Sequence, residues 1–265
     1  MLAHEPILRL TVFLSLLAFL ALAEAMAPRR RREIPRAIRW SNHLALVVID
    51  TLLVRLTLPI AAVGMALVWQ ANGWGLLNLI ALPGWIEFAA ALLILDLAIY
   101  GQHILFHMVP VLWRLHRVHH ADVDFDVTTG IRFHPVEILL STLIKLAVVA
   151  VIGPPAAAVL LFEITLNATA LFSHSNLHLA GKLDAALRLL VVTPDMHRVH
   201  HSVHPEETNS NYGFNLAVWD RLFCTYRAQP QDGHTAMRIG LNQFRSPKDS
   251  RFDRLLIQPL VPPDA

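Results

Sequence analysis

The pentapeptide His-Arg-Val-His-His occurs twice in this chain, at His116–His120 and at His197–His201. Any fold has to account for both. In a helix the first and last histidines of His-x-x-His-His share one face, while the middle one points about 100° away from the last. Adjacent imidazoles therefore suit two ions side by side, and two such strings facing each other make a cage for two metals. Imidazole is the commonest protein metal ligand. His103 and His107 repeat the one-turn spacing, which gives a core set of His103, His107, His116, His119, His120, His197, His200 and His201. The pair His174 and His178 extends it. Roughly five nitrogens per ion leave an open position for oxygen or water, as in a catalytic rather than a closed structural site.

The composition says where such a site sits. Of 265 residues, 55% are hydrophobic and only 16% charged, too apolar for an ordinary soluble domain. One integral membrane domain is expected. The formal net charge of +2 gives no basic surface for nucleic acid, so no nucleic-acid partner is expected. Cys224 is the only cysteine, which excludes an internal disulfide, a zinc ribbon and covalent haem attachment. Nitrogen and oxygen must do the ligation, and all-nitrogen sites suit Zn, Cu, Fe or Ni. No glutamate follows His103, His116, His174 or His197, so the metalloprotease pattern HExxH is absent. The Glu-x-x-His repeats of carboxylate-bridged di-iron bundles are missing as well. Asp122, Asp124, Asp126, Asp195, Glu206 and Glu207 lie near the strings and read first as acceptors that orient imidazole N–H groups, with a solvated acidic rim as the alternative.

The apolar run Ile7 to Ala27 is long enough to cross a bilayer, and Arg29 to Arg32 follow it at once. Ala-Glu-Ala-Met-Ala resembles a signal-peptide cleavage site. Cleavage there would leave four arginines outside, against the tendency of basic residues to stay cytoplasmic, so the helix is expected to be retained. A second run, Leu44 to Trp69, carries Asp50 and Arg55, read as packing groups, and Pro59, which kinks it. The connector 70–83 has no Lys or Arg and should face away from the cytoplasm. A third span, Gly84 to His107, returns. The stretch Glu137 to His174, broken at Gly153-Pro154-Pro155, reads as a helical hairpin, spanning or re-entrant. Both histidine stretches then gather on one side. The expectation is an all-α fold of polytopic membrane helices with a cytoplasmic-side, histidine-rich di-metal cap, in the inner (cell) membrane. Residues 1–40 form an N-terminal helix and basic segment, 41–227 the membrane domain with the site, and 228–265 a cytoplasmic tail with a short amphipathic piece near Leu255 to Leu260.

HxxxH, HxxHH and HxxHH, with Arg132-Phe133-His134-Pro135 between them and Glu207-Thr208-Asn209-Ser210-Asn211-Tyr212-Gly213 leading into Trp219-Asp220-Arg221-Leu222-Phe223, together resemble the sterol desaturase / fatty acid hydroxylase superfamily. The resemblance runs from about Trp40 to Arg227. It implies a membrane-embedded non-haem di-iron oxygenase that hydroxylates or desaturates a lipid with O2 and two electrons. The eight core histidines would ligate two Fe ions, with His174 a further family position and zinc an occupant picked up on purification. Cys224 departs from the glycine common there and is expected to pack behind the site. No fused haem domain is visible, so a separate cytoplasmic electron donor is implied.

A different class, a divalent-metal-binding or transport membrane protein, would place its ligands near mid-membrane on broken helices. A bis-histidine haem carrier could not use the doublets His119/His120 and His200/His201. His134 is either close to the ligands or a packed loop residue; His204 should lie outside the cage; His4, His43 and His234 are isolated. Asn209, Asn211 and Tyr212 read as a turn, or as hydrogen-bond partners of ligand histidines. Trp74, Trp85, Trp113 and Trp219 read as interface markers. Hydroxylation and desaturation begin with the same hydrogen abstraction, so the residues leave the two open, and the lipid unnamed.

Overall fold

A computed structural model describes residues 4–262, and all regular structure among them is helical. The chain runs through α1 (Glu5–Met26), α2 (Arg36–Thr57), α3 (Ala62–Asn72), the short α4 (Leu76–Leu79), α5 (Gly84–Met108), α6 (Pro110–His120), α7 (Pro135–Ile152) and α8 (Ala156–Ser173). Short pieces follow: α9 (Gly181–Leu187), α10 (Pro194–His200), α11 (Pro205–Thr208), α12 (Val218–Leu222), α13 (Gly233–Ala236) and α14 (Phe252–Ile257). Five stretches are long and apolar enough to cross a membrane: Glu5–Met26, Arg36–Leu79, Gly84–Met108, Pro135–Ile152 and Ala156–Ser173. The second is broken after Thr57, around Pro59, where the ring denies the backbone an N–H and crowds the preceding turn.

The hairpin expected at Gly153-Pro154-Pro155 is the junction of α7 and α8. Gly153 ends α7 in the left-handed region at φ +60°, and Pro155 caps the start of α8. This turn meets the connector after α3: Asn78 donates to the Gly153 carbonyl at 2.8 Å, and Trp69 Nε1 donates to Ala150 O at 2.9 Å. Gly75 sits against it at φ +92°, where a Cβ would fall 2.4 Å from the Gly153 nitrogen. Both loops thus share the end opposite the histidines. Between the ends, Ala66, Leu95, Val149 and Leu160 form part of the largest apolar core, drawn from α3, α5, α7 and α8. Farther along, Glu163 accepts from both Lys145 and Arg9, which ties α1 to the hairpin.

At the histidine end the connector 121–131 is buried and held by side chains from α1 and α2 and by backbone amides of the loop between them. Glu24 accepts the amides of Val127 (3.0 Å) and Asn176 (2.9 Å). Asp124 accepts those of Glu33 (2.9 Å) and Ile34 (2.8 Å). Arg39, fully buried, donates to Asp122 and Asp126. Burial alone would raise the Asp122 carboxyl, yet Arg39 and Arg132 beside it hold it below the usual carboxylate range. The segment after residue 228 also packs here. Arg30 donates to the carbonyls of His234 and Met237 (both 2.7 Å), Arg117 to those of Gln258 and Val261, and α14 lies on α2. The expected tail is a strap across the histidine end.

Gly75→Ala adds a methyl where Gly153 backbone already stands and forces a positive φ on an L side chain. Thermal unfolding in detergent is expected to report a loss of roughly 1–3 kcal/mol, with metal content per folded chain unchanged because the contact lies at the far end.

Candidate metal centre

Two proline-started helices carry the strings. α5 ends at Met108 and Pro110 opens α6, so the chain turns sharply instead of continuing one helix. The last turns of α5 thereby face the last turns of α6, and the His107 and His120 ring centroids lie 4.7 Å apart. α10 begins at Pro194 under a cap in which Thr193 Oγ1 accepts the Met196 amide. Its histidines meet those of α6 from the other side.

The outcome is two groups. His103, His107, His116, His120 and His200 form one, and His119, His174, His197 and His201 the other, with the offered nitrogens of each group all within 4.8 Å of one another. The helix periodicity of His-x-x-His-His is legible in this split: His116 and His120 go one way and His119 the other, while His197 and His201 go one way and His200 the other. Nine of the ten expected histidines come together. His178 does not. α8 stops at Ser173 and His174 is its C-cap, so the one-turn spacing from His174 to His178 has no helix to act through. The chain instead extends, with the His178 amide bonded to Ala27 O at 2.8 Å and the side chain exposed.

Hydrogen bonds on the outer nitrogens decide which lone pairs face inward. His103 Nδ1 donates to Tyr212 O (2.8 Å), His200 Nδ1 to Ser210 O (2.7 Å), His174 Nδ1 to Ala170 O (2.7 Å) and His116 Nδ1 to Glu137 Oε1 (2.6 Å). A neutral imidazole has one proton, so in these four rings Nε2 is a bare acceptor. Yet Nε2 of His103 lies 3.2 Å from that of His116 and 3.0 Å from that of His200. These are lone pairs aimed at one another, an arrangement that a cation between them stabilises. In the other group His174 Nε2 stands 3.0 Å from Nε2 of both His119 and His197, while both ring nitrogens of His201 are buried without a partner. The donors fit metal ions. Burial pushes the His116 and His174 imidazoles down to about 3 and lowers His119, His120, His197, His200 and His201 as well, so all stay neutral and able to ligate.

The nearby acids do other work than expected. Asp122 and Asp126 pair with Arg39, Asp124 caps backbone amides, Asp195 pairs with Arg198 and Arg29, Glu207 accepts the Gln231 amide, and Glu206 is exposed. The carboxylate that does orient a ligand is Glu137, which stood in the sequence only as the first residue of an apolar run. Its signal was a lone carboxylate two residues past Pro135, in the first turn of the helix. The turn 209–213 satisfies both of its readings. Asn211, at φ +51°, binds Met196 O and Arg227 O through its amide, and the backbone thus held offers Ser210 O and Tyr212 O to the histidines. Asp220 fixes the same turn by accepting the amides of Tyr212 (2.7 Å) and Gly213 (2.8 Å).

His134 caps α7, its Nδ1 accepting the Val136 amide and its Nε2 donating to Leu256 O, both at 3.2 Å. His204 lies outside the groups, paired with Asp232. His43 is buried, bonded to Thr128, and His234 is buried too, so neither is a solvated surface group. Trp219 donates to Asp96 Oδ2 at 2.8 Å, a structural link between α12 and α5, and Trp113 packs on His107 and His120. Cys224 is exposed and does not pack behind the site. It sits at φ +58°, which gives the glycine common at this position a backbone reason.

Residues 88–225, just over half of the chain, match the family model described as fatty acid hydroxylase. The chain belongs to the fatty acid hydroxylase family. This makes it an oxidoreductase of the hydroxylase type. It is 29% identical over 242 residues to the ornithine lipid hydroxylase OlsE of Rhizobium tropici, covering 86% of this chain and 70% of that protein. It is 29% identical over 182 residues to the alkylglycerol monooxygenase of Xenopus tropicalis, covering 64% of this chain but 38% of that protein. The human alkylglycerol monooxygenase shares 27% over 160 residues, 58% of this chain and 34% of that protein. This chain therefore spans about a third of the alkylglycerol monooxygenases it matches. No solved structure matches.

Glu137→Leu removes the acceptor from His116 and is expected to weaken metal retention about 10–100-fold, read as metal per chain after graded chelation. Glu137→Gln keeps an acceptor oxygen and should restore much of it. Stripping the metal from the wild type should lower its unfolding midpoint, because the inward lone pairs are then uncompensated.

Proposed function

We propose that this chain oxidises a membrane lipid, by hydroxylation or desaturation, at a pair of iron ions held by the five-histidine and four-histidine groups, with O2 as co-substrate. The observation that carries the proposal is the division of nine imidazoles, eight of them buried, into two adjacent groups, with the Nε2 lone pairs of His103, His116, His174 and His200 facing inward. When bound, the iron pair would supply the oxidising power needed to break an unactivated C–H bond. The protein does the rest. Tyr212 O, Ser210 O, Ala170 O and Glu137 hold the protons of four ligand rings on their outer nitrogens. Phe133, stacked on His119 at 4.4 Å, and Phe125, 5.1 Å from His201, wall the four-histidine group against water.

The four-histidine group has one ligand fewer, so it is the side proposed for the open position. The names of the relatives, an ornithine lipid hydroxylase and alkylglycerol monooxygenases, support a lipid as substrate. Arg29 to Arg32 stand at the histidine end, and the connector 70–83, with no Lys or Arg, is at the other end. That asymmetry supports a cytoplasmic site in a cell membrane, reached by a separate cytoplasmic electron donor. A metal carrier would place its polar groups at mid-membrane; there the chain has a closed ion-pair set, Arg9, Lys145 and Glu163.

Lipid profiles of cells expressing the chain, compared with cells lacking it, should contain a species heavier by one oxygen or lighter by two hydrogens. His200→Ala and His119→Ala, one from each group, should each reduce that species at least about 100-fold. Purified wild type should hold two irons without haem absorbance. A new lipid unaffected by either substitution would remove the site from the reaction. Zinc alone, with no lipid changed, would return the chain to the metal-carrier reading.

A further inference from the structure

Beside the four-histidine group lies a cavity of about 380 Å³ that neither group uses, lined by residues of α9, the loop before α1 joins α2, and the segment 226–234. This volume falls in the usual range of small-molecule sites, roughly 300–1,000 Å³. His178, the histidine left out of the metal groups, stands on its wall with Arg29, Asp184, Arg188, Asp195 and His234. We infer that this cavity seats the anionic oxygens, carboxylate or phosphate, of a lipid headgroup.

Charge gives the sign of the ligand. Asp195 accepts from both Arg29 (3.2 Å) and Arg198, and Asp184 accepts from Arg188. The lining itself balances, Arg29 and Arg188 against Asp184 and Asp195, and Arg198, fully buried and donating to Asp195 without lining the cavity, adds a third guanidinium to its surroundings. Guanidinium groups recognise carboxylate and phosphate through paired N–H donors. Unused donors lie in the wall. His234 is 6% exposed and neither ring nitrogen has a partner; the Asp195 Oδ2 atom is 3.8 Å away. Arg188 Nε is likewise buried without a partner. Burial, with the arginines adding to it against Asp195, lowers the His234 imidazole to about 4, so it enters as a neutral N–H donor and the guanidiniums set the field. A buried donor with nothing to bind costs about 1–3 kcal/mol, and a bound anion removes that cost.

The surroundings make the ligand a lipid. Asp184 and Arg188 turn one side of α9 into the cavity, while Leu183, Leu189 and Leu190 on the same segment are 50%, 65% and 71% exposed. A charged pocket edged by bare leucines is the surface expected where a headgroup meets hydrocarbon. α10 then joins the cavity to the centre: Asp195 faces the cavity, and His197, two residues on and so on the opposite side of the helix, belongs to the four-histidine group. That the lipid seated here is also the one oxidised rests on the function proposed above. The binding does not.

Calorimetry on the full chain in detergent, with dioctanoyl phosphatidic acid, dioctanoylglycerol and inorganic phosphate as probes, tests this. Phosphatidic acid is expected to bind at least about tenfold more tightly than either of the others. Arg188→Gln should reduce that preference to about twofold or less. Ala185→Glu should do the same by placing a carboxylate in the mouth while the Asp184–Arg188 pair stays intact, and unchanged metal content in both variants shows that the fold is kept. Equal binding of phosphatidic acid and dioctanoylglycerol, or a preference that survives both substitutions, overturns the inference. Inorganic phosphate binding as tightly as phosphatidic acid makes this a free-anion site and overturns the lipid assignment. No arm reads turnover, so a chain that binds the lipid and oxidises none refutes the proposed function and leaves this inference standing.

Discussion

Imidazole lone pairs that face one another at 3.0–3.2 Å repel, and the histidine end of this protein is built to hold those of His103, His116 and His200 there. Four outer hydrogen bonds commit the protons, and burial removes the water that would otherwise fill the gap. None of those anchors is itself loose. Glu137 is fixed by the first turn of α7, which His134 caps, and the carbonyls of Ser210 and Tyr212 are fixed by Asn211 and Asp220. The connector 121–131 behind them depends in turn on Arg39 and Glu24, contributed by the first two membrane helices. The apolar helices therefore act on the centre less by touching it than by supplying the buried charges that lock its loops.

What was legible in the chain followed from local periodicity. The spans, the break at Pro59, the hairpin at Gly153 and the alternation within each His-x-x-His-His string all depend on neighbours within a turn or two. What was not legible depends on which strangers meet. Asp122 and Asp126 stand beside ligand histidines in sequence, but Arg39 from another helix claims them. Glu137 looked like the edge of a lipid-facing run because the His116 it orients arrives from α6. Backbone carbonyls such as Ala170 O carry no side-chain signature at all. His178 was misplaced for the opposite reason: a local rule was extended past Ser173, where the helix had already ended.

The segment after residue 228, expected as a cytoplasmic tail with an amphipathic piece near Leu255 to Leu260, packs more widely than that piece alone: Leu255, Met237 and Ile239 are buried and its carbonyls receive Arg30, Arg114 and Arg117. Arginines reaching for main-chain oxygens need no matching acid in the partner segment. Such a contact leaves no pattern that charge or hydropathy could reveal.

Each pentapeptide gives most of its histidines to one group and one histidine to the other: His119 crosses one way and His200 the other. The two groups are thus cross-wired through rigid helices. A nascent chain can offer His103, His107, His116 and His120 early in synthesis, but neither group is complete until α10 has left the ribosome. Maturation of the centre is coupled to completion of the polypeptide, because a product truncated before α10 offers four of the five histidines of one group and two of the four of the other.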